Sequence, residues 1–261
     1  MSARATDAPL QGRRILLTRP DDTTGIRDLL RRTGADVVHV PATHIVPVPS
    51  GIRAARAAVS RASCVAVTSR RAVELVFDRA SLAAAAPVRF ACVGDATAAA
   101  VTAMGGKVCV IADPPDQDGL VASMIAAGPV RGMHVLFPAA VGARGALEAG
   151  LLAAGAIVDR IDCYESLPDP DAVAALRVAE AERPLDLVVF TAPSTVHAWV
   201  AAVGAGVARR IPAASIGART SDAVRAHGIP LAVEARVSSA QGLHDALLAW
   251  GTAAPTAAPP S

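Results

Sequence analysis

Short apolar runs alternate along the chain with longer stretches of helical periodicity. Residues 15–18, 65–68, 90–93, 108–111, 135–137, 187–191 and 213–216 are short and almost wholly apolar. Runs of this kind predict strands buried on both faces of a parallel sheet. Between them lie Ala-rich amphipathic segments, such as 25–32, 96–104, 144–154 and 221–227. Gly34, Gly105, Gly155 and Gly228 each follow a helical pattern, where a left-handed helix terminus favours glycine. Strand–helix alternation predicts an α/β fold, with helices on both faces of parallel sheets.

The pattern repeats. Shifted by 123 places, residues 64–126 lie over 187–249 without a gap. Val65 meets Val188, Thr68 meets Thr191, Gly94 meets Gly217, Thr97 meets Thr220, Gly105 meets Gly228, and Gly119-Leu120 meets Gly242-Leu243. Alanine-rich composition does not align Gly and Thr in this way. A looser match joins 12–40 to 132–161, with Gly34-Ala35 over Gly155-Ala156. The chain therefore reads as two pseudo-symmetric copies of one parallel-sheet, flavodoxin-like α/β design. A plain tandem would break once, near Gly128-Pro129. A swapped order needs two linkers, and two proline-flanked segments exist, at 41–49 and 162–170. The swapped order is favoured: domain one from 13–41 plus 170–250, domain two from 50–162, with 42–49 and 163–169 as a two-stranded hinge. Residues 251–261 (GTAAPTAAPPS) are expected to be a disordered tail.

Composition narrows the function. Net charge is +2, too balanced for an electrostatic nucleic-acid binder. Hydrophobic residues make up 52%, much of it alanine, and no run reaches the ~20 apolar residues of a membrane helix. The N-terminal residues lack an apolar core, so no signal peptide is expected and the protein is placed in the cytoplasm. Cys64, Cys92, Cys109 and Cys163 are expected to be buried free thiols. The six histidines form no ligand pattern in sequence, so no metal site is expected. There is no G-x-G-x-x-G, no G-x-x-x-x-G-K-[ST] and no G-x-S-x-G. Dinucleotide, ATP and serine-hydrolase chemistry are thus unsupported.

The candidate chemistry lies at the strand-to-helix junctions. These read Thr18-Arg19-Pro20, Thr68-Ser69-Arg70-Arg71, Gly94-Asp95-Ala96-Thr97, Thr191-Ala192-Pro193-Ser194 and Gly217-Ala218-Arg219-Thr220. Each sets Ser, Thr or Gly where open α/β sheets bind ligands. Helix N–H groups and the helix dipole there attract anions. Each junction alone is equally well explained by ordinary N-capping. Five of them together predict an anion-lined cleft.

At this point the ordered set RILLTRP, VTSRRAV, FACVGDATAAAV, QDGLV, LFPAAVGARGALEAGLLAAGA, Cys163-Tyr164, VVFTAPSTV, ASIGARTSDAV and SSAQGL resembles the uroporphyrinogen-III synthase family over residues 13–250. The resemblance implies the swapped layout and an inter-domain cleft. It implies conversion of hydroxymethylbilane to uroporphyrinogen III with loss of water and inversion of ring D. It implies no metal or organic cofactor, and a monomer acting on a small tetrapyrrole. Carried over by position, it makes Tyr164 and Thr97 catalytic candidates. Arg19, Thr68, Ser69, Gly94, Arg144, Thr191, Ser194, Gly217 and Thr220 become substrate-binding candidates. Arg70-Arg71 and Ala192 depart from the family pattern, which often has a small residue and asparagine at the first place and a second hydroxyl at the other. Two rivals exist. One is a non-catalytic tetrapyrrole or organic-anion sensor, disfavoured by the lack of a DNA-binding segment. The other is a two-domain racemase, which would need an acid/base thiol from each half. Cys64, Cys92 and Cys109 instead meet Leu187, Ser215 and Ala232.

Overall fold

The computed structural model describes residues 8–20, 25–84 and 88–252, without the side chains of 81, 83 and 84. The chain divides into two compact units, Met1–His44 with Leu167–Ser261, and Ile45–Ser166. The first unit opens with β1 (Arg14–Leu17), α1 (Ile26–Arg32) and β2 (Asp36–His39). The second unit contains β3 (Thr43–Pro47), which begins just before the division, then α2 (Pro49–Ala58), β4 (Cys64–Val67) and α3 (Arg70–Val76). It continues with α4 (Arg79–Ala84), β5 (Arg89–Cys92), α5 (Asp95–Ala103), β6 (Lys107–Ile111) and α6 (Gln117–Ala127). Next come β7 (His134–Ala140), α7 (Ala146–Ala153) and β8 (Ile157–Pro168), whose end crosses back. The first unit is then completed by α8 (Pro170–Glu182), β9 (Leu187–Phe190), α9 (Pro193–Val203), α10 (Ala205–Ala208), β10 (Ala213–Ser215), α11 (Ala218–Ala226), β11 (Leu231–Glu234) and α12 (Ala240–Thr252).

The first sheet runs β11-β10-β9-β1-β2, and the second runs β6-β5-β4-β7-β8-β3. Under the repeat, β4, β5 and β6 overlie β9, β10 and β11, while β7 and β8 overlie β1 and β2. The sheets thus share one five-strand order, and the second adds β3. The match extends to irregularities. The ladder between β5 and β6 slips at Phe90/Ala91, and that between β10 and β11 slips at Ala213/Ala214, 123 residues on. Helix α6 is capped by Asp116, which accepts from Gly119 N–H at 2.8 Å, and α12 begins with Ser239 accepting from Gly242 N–H at 3.0 Å. In each copy a Cβ on that glycine would collide with a backbone carbonyl, Pro114 in one and Val237 in the other. That close approach explains the paired glycines.

The interiors follow the strand runs. Val65, Val67, Phe90 and Cys92 point to one side of the second sheet with Phe77 and Tyr164, while Cys64, Ala66 and Phe137 face the other with Leu120 and Leu147. In the first sheet Leu16, Val188 and Phe190 pack with Trp199, and Ile15, Leu17 and Val189 with Leu243 and Leu247. Both faces are covered, as parallel sheets require.

The first unit is closed by a clamp. Ile15, Leu16 and Leu17 of β1 register with Leu187, Val188 and Val189 of β9. Beside this ladder the buried Arg14 guanidinium donates to Ala179 O at 2.8 Å and to Arg183 O, and pairs with Glu182 at 3.1 Å. These are carbonyls at and beyond the end of α8, which have no partner within the helix. Asp186 accepts from the Arg14 backbone N–H at 2.7 Å.

Several expectations are corrected. Segments 42–49 and 163–169, expected as a two-stranded hinge, lie mostly in the neighbouring strands β3 and β8 of the second sheet, and the division between the units falls within them. The strands β2, β3, β8 and β11 are additional to those predicted. Gly251 and Thr252 belong to α12, and 253–261 lie outside the described residues. Cys109 is exposed, whereas Cys64, Cys92 and Cys163 are buried. The reason is that β6 is the sheet edge and presents alternate residues outward. No described helix is long and apolar enough to cross a membrane.

Replacing Arg14 by Met removes the donor and leaves buried carbonyls unpaired. Urea unfolding is expected to show a loss of ~3 kcal/mol in the first unit. An unchanged midpoint would show that the clamp contributes nothing.

Candidate active site

In a parallel sheet the residues just past each strand share one edge. For the second sheet that edge carries Thr68 and Ser69 after β4, Gly94 after β5, and Tyr164 of β8 opposite Ala140 of β7. Thr97 lies on the first turn of α5, 5% exposed. Arg144 follows β7.

Tyr164 is the only tyrosine and is 8% exposed. Its backbone carbonyl accepts from Val141 N–H at 2.8 Å, which pins the strand end. β7 stands between Tyr164 and the β4 terminus and ends in Ala139-Ala140. These small residues leave room for the ring, whose phenol lies near the Ser69 side chain. Ser69 also caps α3, its Oγ accepting from Arg71 N–H at 3.1 Å. One hydroxyl therefore accepts from the helix and has its own proton to give. Burial lifts the phenol above its ordinary pKa; the Ser69 side chain and the Arg71 charge oppose this, and the neighbouring Cys163 adds to it. Tyr164 is a neutral proton donor at physiological pH.

The departures from the family pattern acquire structure here. Arg70 and Arg71 both pair with Glu74, at 3.1 and 3.5 Å. No local pattern links Arg71 to Tyr164, because 93 positions separate them. Ala192 occupies the place that Ser69 holds in the other copy. Helix α9 consequently has no side-chain cap, but Pro193 at its start has no N–H to satisfy. Thr195 on the first turn donates to Ala192 O at 2.8 Å.

The first sheet's corresponding edge collects Arg19 after β1, Thr191 and Ser194 around the start of α9, and Gly217 and Thr220 at the start of α11. Thr220 is buried, and Arg19 O lies 3.0 Å from His39 Nε2. Arg144, in the second unit, is 48% exposed and already paired with Asp118 at 2.6 Å. Gln117, not singled out beforehand, is buried and accepts from Leu147 N–H at 3.2 Å, serving the first turn of α7.

Helices α5 and α11 start at Gly94 and Gly217 with no side-chain cap. Both glycines are extended, and a Cβ would meet nothing nearer than Pro115 at 3.7 Å or Ser238 at 3.4 Å. Packing within the fold therefore does not demand glycine at either place. What remains at each start is a set of uncapped, dipole-oriented N–H groups, which suits a carboxylate. Among the described residues no cluster of three or more His, Cys, Asp or Glu could hold a metal. A cavity of about 310 Å³ lies elsewhere, near the beginnings of the second sheet's strands, lined by Ser63, Cys64, Arg89 and Met133 among others. It contains none of the candidate residues.

The hydroxyls, bare helix starts and buried phenol stand at the strand ends, the edge at which open α/β folds bind ligands. Comparison with known proteins is more specific. The family model described as uroporphyrinogen-III synthase HemD matches residues 25–245. A protein of Synechococcus elongatus named uroporphyrinogen-III synthase is 32% identical over 266 residues, covering 94% of this chain and 97% of the relative. Two solved structures share the fold. A mutant uroporphyrinogen III synthase from Thermus thermophilus has TM-score 0.58 and 20% identity, covering 90% of this chain and 99% of its own. Uroporphyrinogen-III synthetase from Helicobacter pylori has TM-score 0.57 and 16% identity, covering 91% and 99%. The chain belongs to the uroporphyrinogen-III synthase family.

With a single tyrosine, ultraviolet absorbance reads Tyr164 directly. Its ionisation midpoint is expected above the ordinary ~10, and higher still in Ser69→Ala. Because the folded value is raised, this stabilising contribution is complete below pH ~10 and is lost as pH rises through the folded value. A midpoint at or below 10 would contradict the burial assigned to the ring.

Proposed function

We propose that the chain cyclises hydroxymethylbilane to uroporphyrinogen III, releasing water and inverting ring D. The observation that carries this reading is the match of family model and curated relative across nearly the whole chain. The edge chemistry described above supports it. The bilane carries eight carboxylates, and the starts of α5 and α11 offer N–H groups that no side chain caps. Thr68, Ser69 and Thr97 in one unit, and Thr191, Ser194 and Thr220 in the other, add hydroxyl donors. Such contacts need no dense basic surface, in keeping with a net charge of +2.

Departure of the terminal hydroxyl as water needs a proton at that oxygen. Tyr164 supplies a phenol held neutral by burial, with Ser69 set to return hydrogen bonding to the phenolate. The bilane also loses water and closes unaided, giving the type I isomer, so the ionisation barrier is modest. The larger task is orientation of the last ring, and Gly94, Gly217, Arg19 and Arg144 are assigned to holding carboxylates for it. Positioning of this kind can be worth several kcal/mol.

The direct test incubates chelator-treated, desalted protein with hydroxymethylbilane and separates the oxidised type III and type I products. Type III product without additions is expected. Only type I product, or activity that returns with a metal or nucleotide, would defeat the reading. In the same assay Tyr164→Phe is expected to slow turnover by ~10²-fold while still giving type III. A full rate would remove the acid role, and a switch to type I would make the residue a director of ring inversion.

A further inference from the structure

Two histidines outside the candidate site are brought together by the packing of α9 on α11. His197 sits in the second turn of α9, and His227 follows the last residue of α11. Val196 and Trp199 of α9 share one buried cluster with Val224 of α11, and that packing fixes the spacing above it. His197 Nδ1 lies 2.8 Å from His227 Nε2. The ring centroids are 5.0 Å apart and the planes meet at 69°. His197 is exposed and His227 is half-buried.

From the geometry we infer that His197 and His227 form a two-histidine site for a borderline divalent transition ion, of the Cu(II), Ni(II) or Zn(II) type. Imidazole nitrogens sit ~2.0–2.1 Å from such ions. Two of them on one metal are therefore ~2.9 Å apart at a right angle and ~3.3 Å apart at a tetrahedral angle. The present separation needs at most about 0.5 Å of opening, with the rings turned so that both nitrogens face an ion beside the line joining them. In the metal-free pair one nitrogen donates a proton to the other; on binding the donor ring takes its other tautomer, so that both facing nitrogens present lone pairs.

The surroundings favour a cation on balance. His227 ends α11, where the helix dipole presents its negative pole. Its backbone is held from both sides: its N–H donates to Ala223 O at 3.3 Å, and its carbonyl accepts from Arg209 Nε at 3.0 Å. The Arg209 charge near that carbonyl works against the ion and keeps the site weak. No described Asp, Glu or Cys completes a three-residue set, so water fills the remaining positions and the ion exchanges freely. His227 lies at the end of α11 opposite Gly217, so the ion would brace two helices of the first unit without entering the candidate active edge. Sequence spacing holds no hint of the pair, because the two histidines are 30 residues apart.

The test is titration of the full-length protein with copper(II) alone, followed by electron paramagnetic resonance and equilibrium dialysis. Wild type is expected to take one ion with a two-nitrogen signature. His197→Ala and His227→Ala should each weaken binding by about tenfold or more. His197→Gln, which keeps a hydrogen-bonding side chain, should lose binding equally, and His134→Ala should leave it unchanged. Far-UV circular dichroism checks that each variant is folded. A loss smaller than about tenfold in either alanine variant, or no binding by wild type up to about 1 mM copper, overturns the site.

Discussion

Everything in the first unit depends on β1 lying between β9 and β2. Those three apolar residues, Ile15, Leu16 and Leu17, complete a sheet whose other central strand begins at Leu187. Without β1, β9 becomes an edge with an unpaired row of backbone groups and a bare apolar face. Arg14 and Asp186 reinforce the same junction from the side, one satisfying the end of α8 and the other tying β1 to the residue before β9. The long separation of these partners forces the chain to leave the unit and return. The second unit is what is folded on that excursion, and it uses local order β4 to β8 to build the same sheet.

The repeat then distributes chemistry unevenly over equal scaffolds. Both copies begin a helix at an extended glycine with no side-chain cap. Both place a threonine on the next turn, buried at Thr97 and Thr220. At the junction after β4 and its counterpart after β9, the hydroxyl cap occurs in the second unit alone, at Ser69, and Tyr164 also lies in that unit. Where the first unit has Ala192, proline does the capping work passively. In its core it has a buried Ser215–Ser221 pair, 2.5 Å between hydroxyl oxygens, where the other copy has Cys92 and Ala98. The two copies thus differ in side-chain chemistry while keeping the same backbone framework.

Much of this was legible in the sequence, for identifiable reasons. The runs at β4, β5 and β9 are buried on both faces, so hydrophobicity marks them strongly. Gly34, Gly105, Gly155 and Gly228 all adopt positive φ, between 69° and 91°, at the helix ends where their positions predicted it. The half-exposed strands were harder. β8 reads IVDRIDCYESLP, alternating charge with apolar residues and ending in proline, and so resembles a linker until β7 is beside it. Edge strands β2 and β11 carry too few buried residues to stand out. The partnership of Ser69 with Tyr164, the exposure of Cys109 and the meeting of His197 with His227 all depend on tertiary neighbours. No local pattern encodes them.

The most direct test of the dependence on β1 is fragment complementation, followed by circular dichroism and urea unfolding. Residues 45–166 alone should unfold cooperatively. Residues 167–261 alone should show no cooperative transition, and adding a 1–44 peptide should restore one. A fully cooperative transition for 167–261 by itself, unaffected by the peptide, would contradict the account.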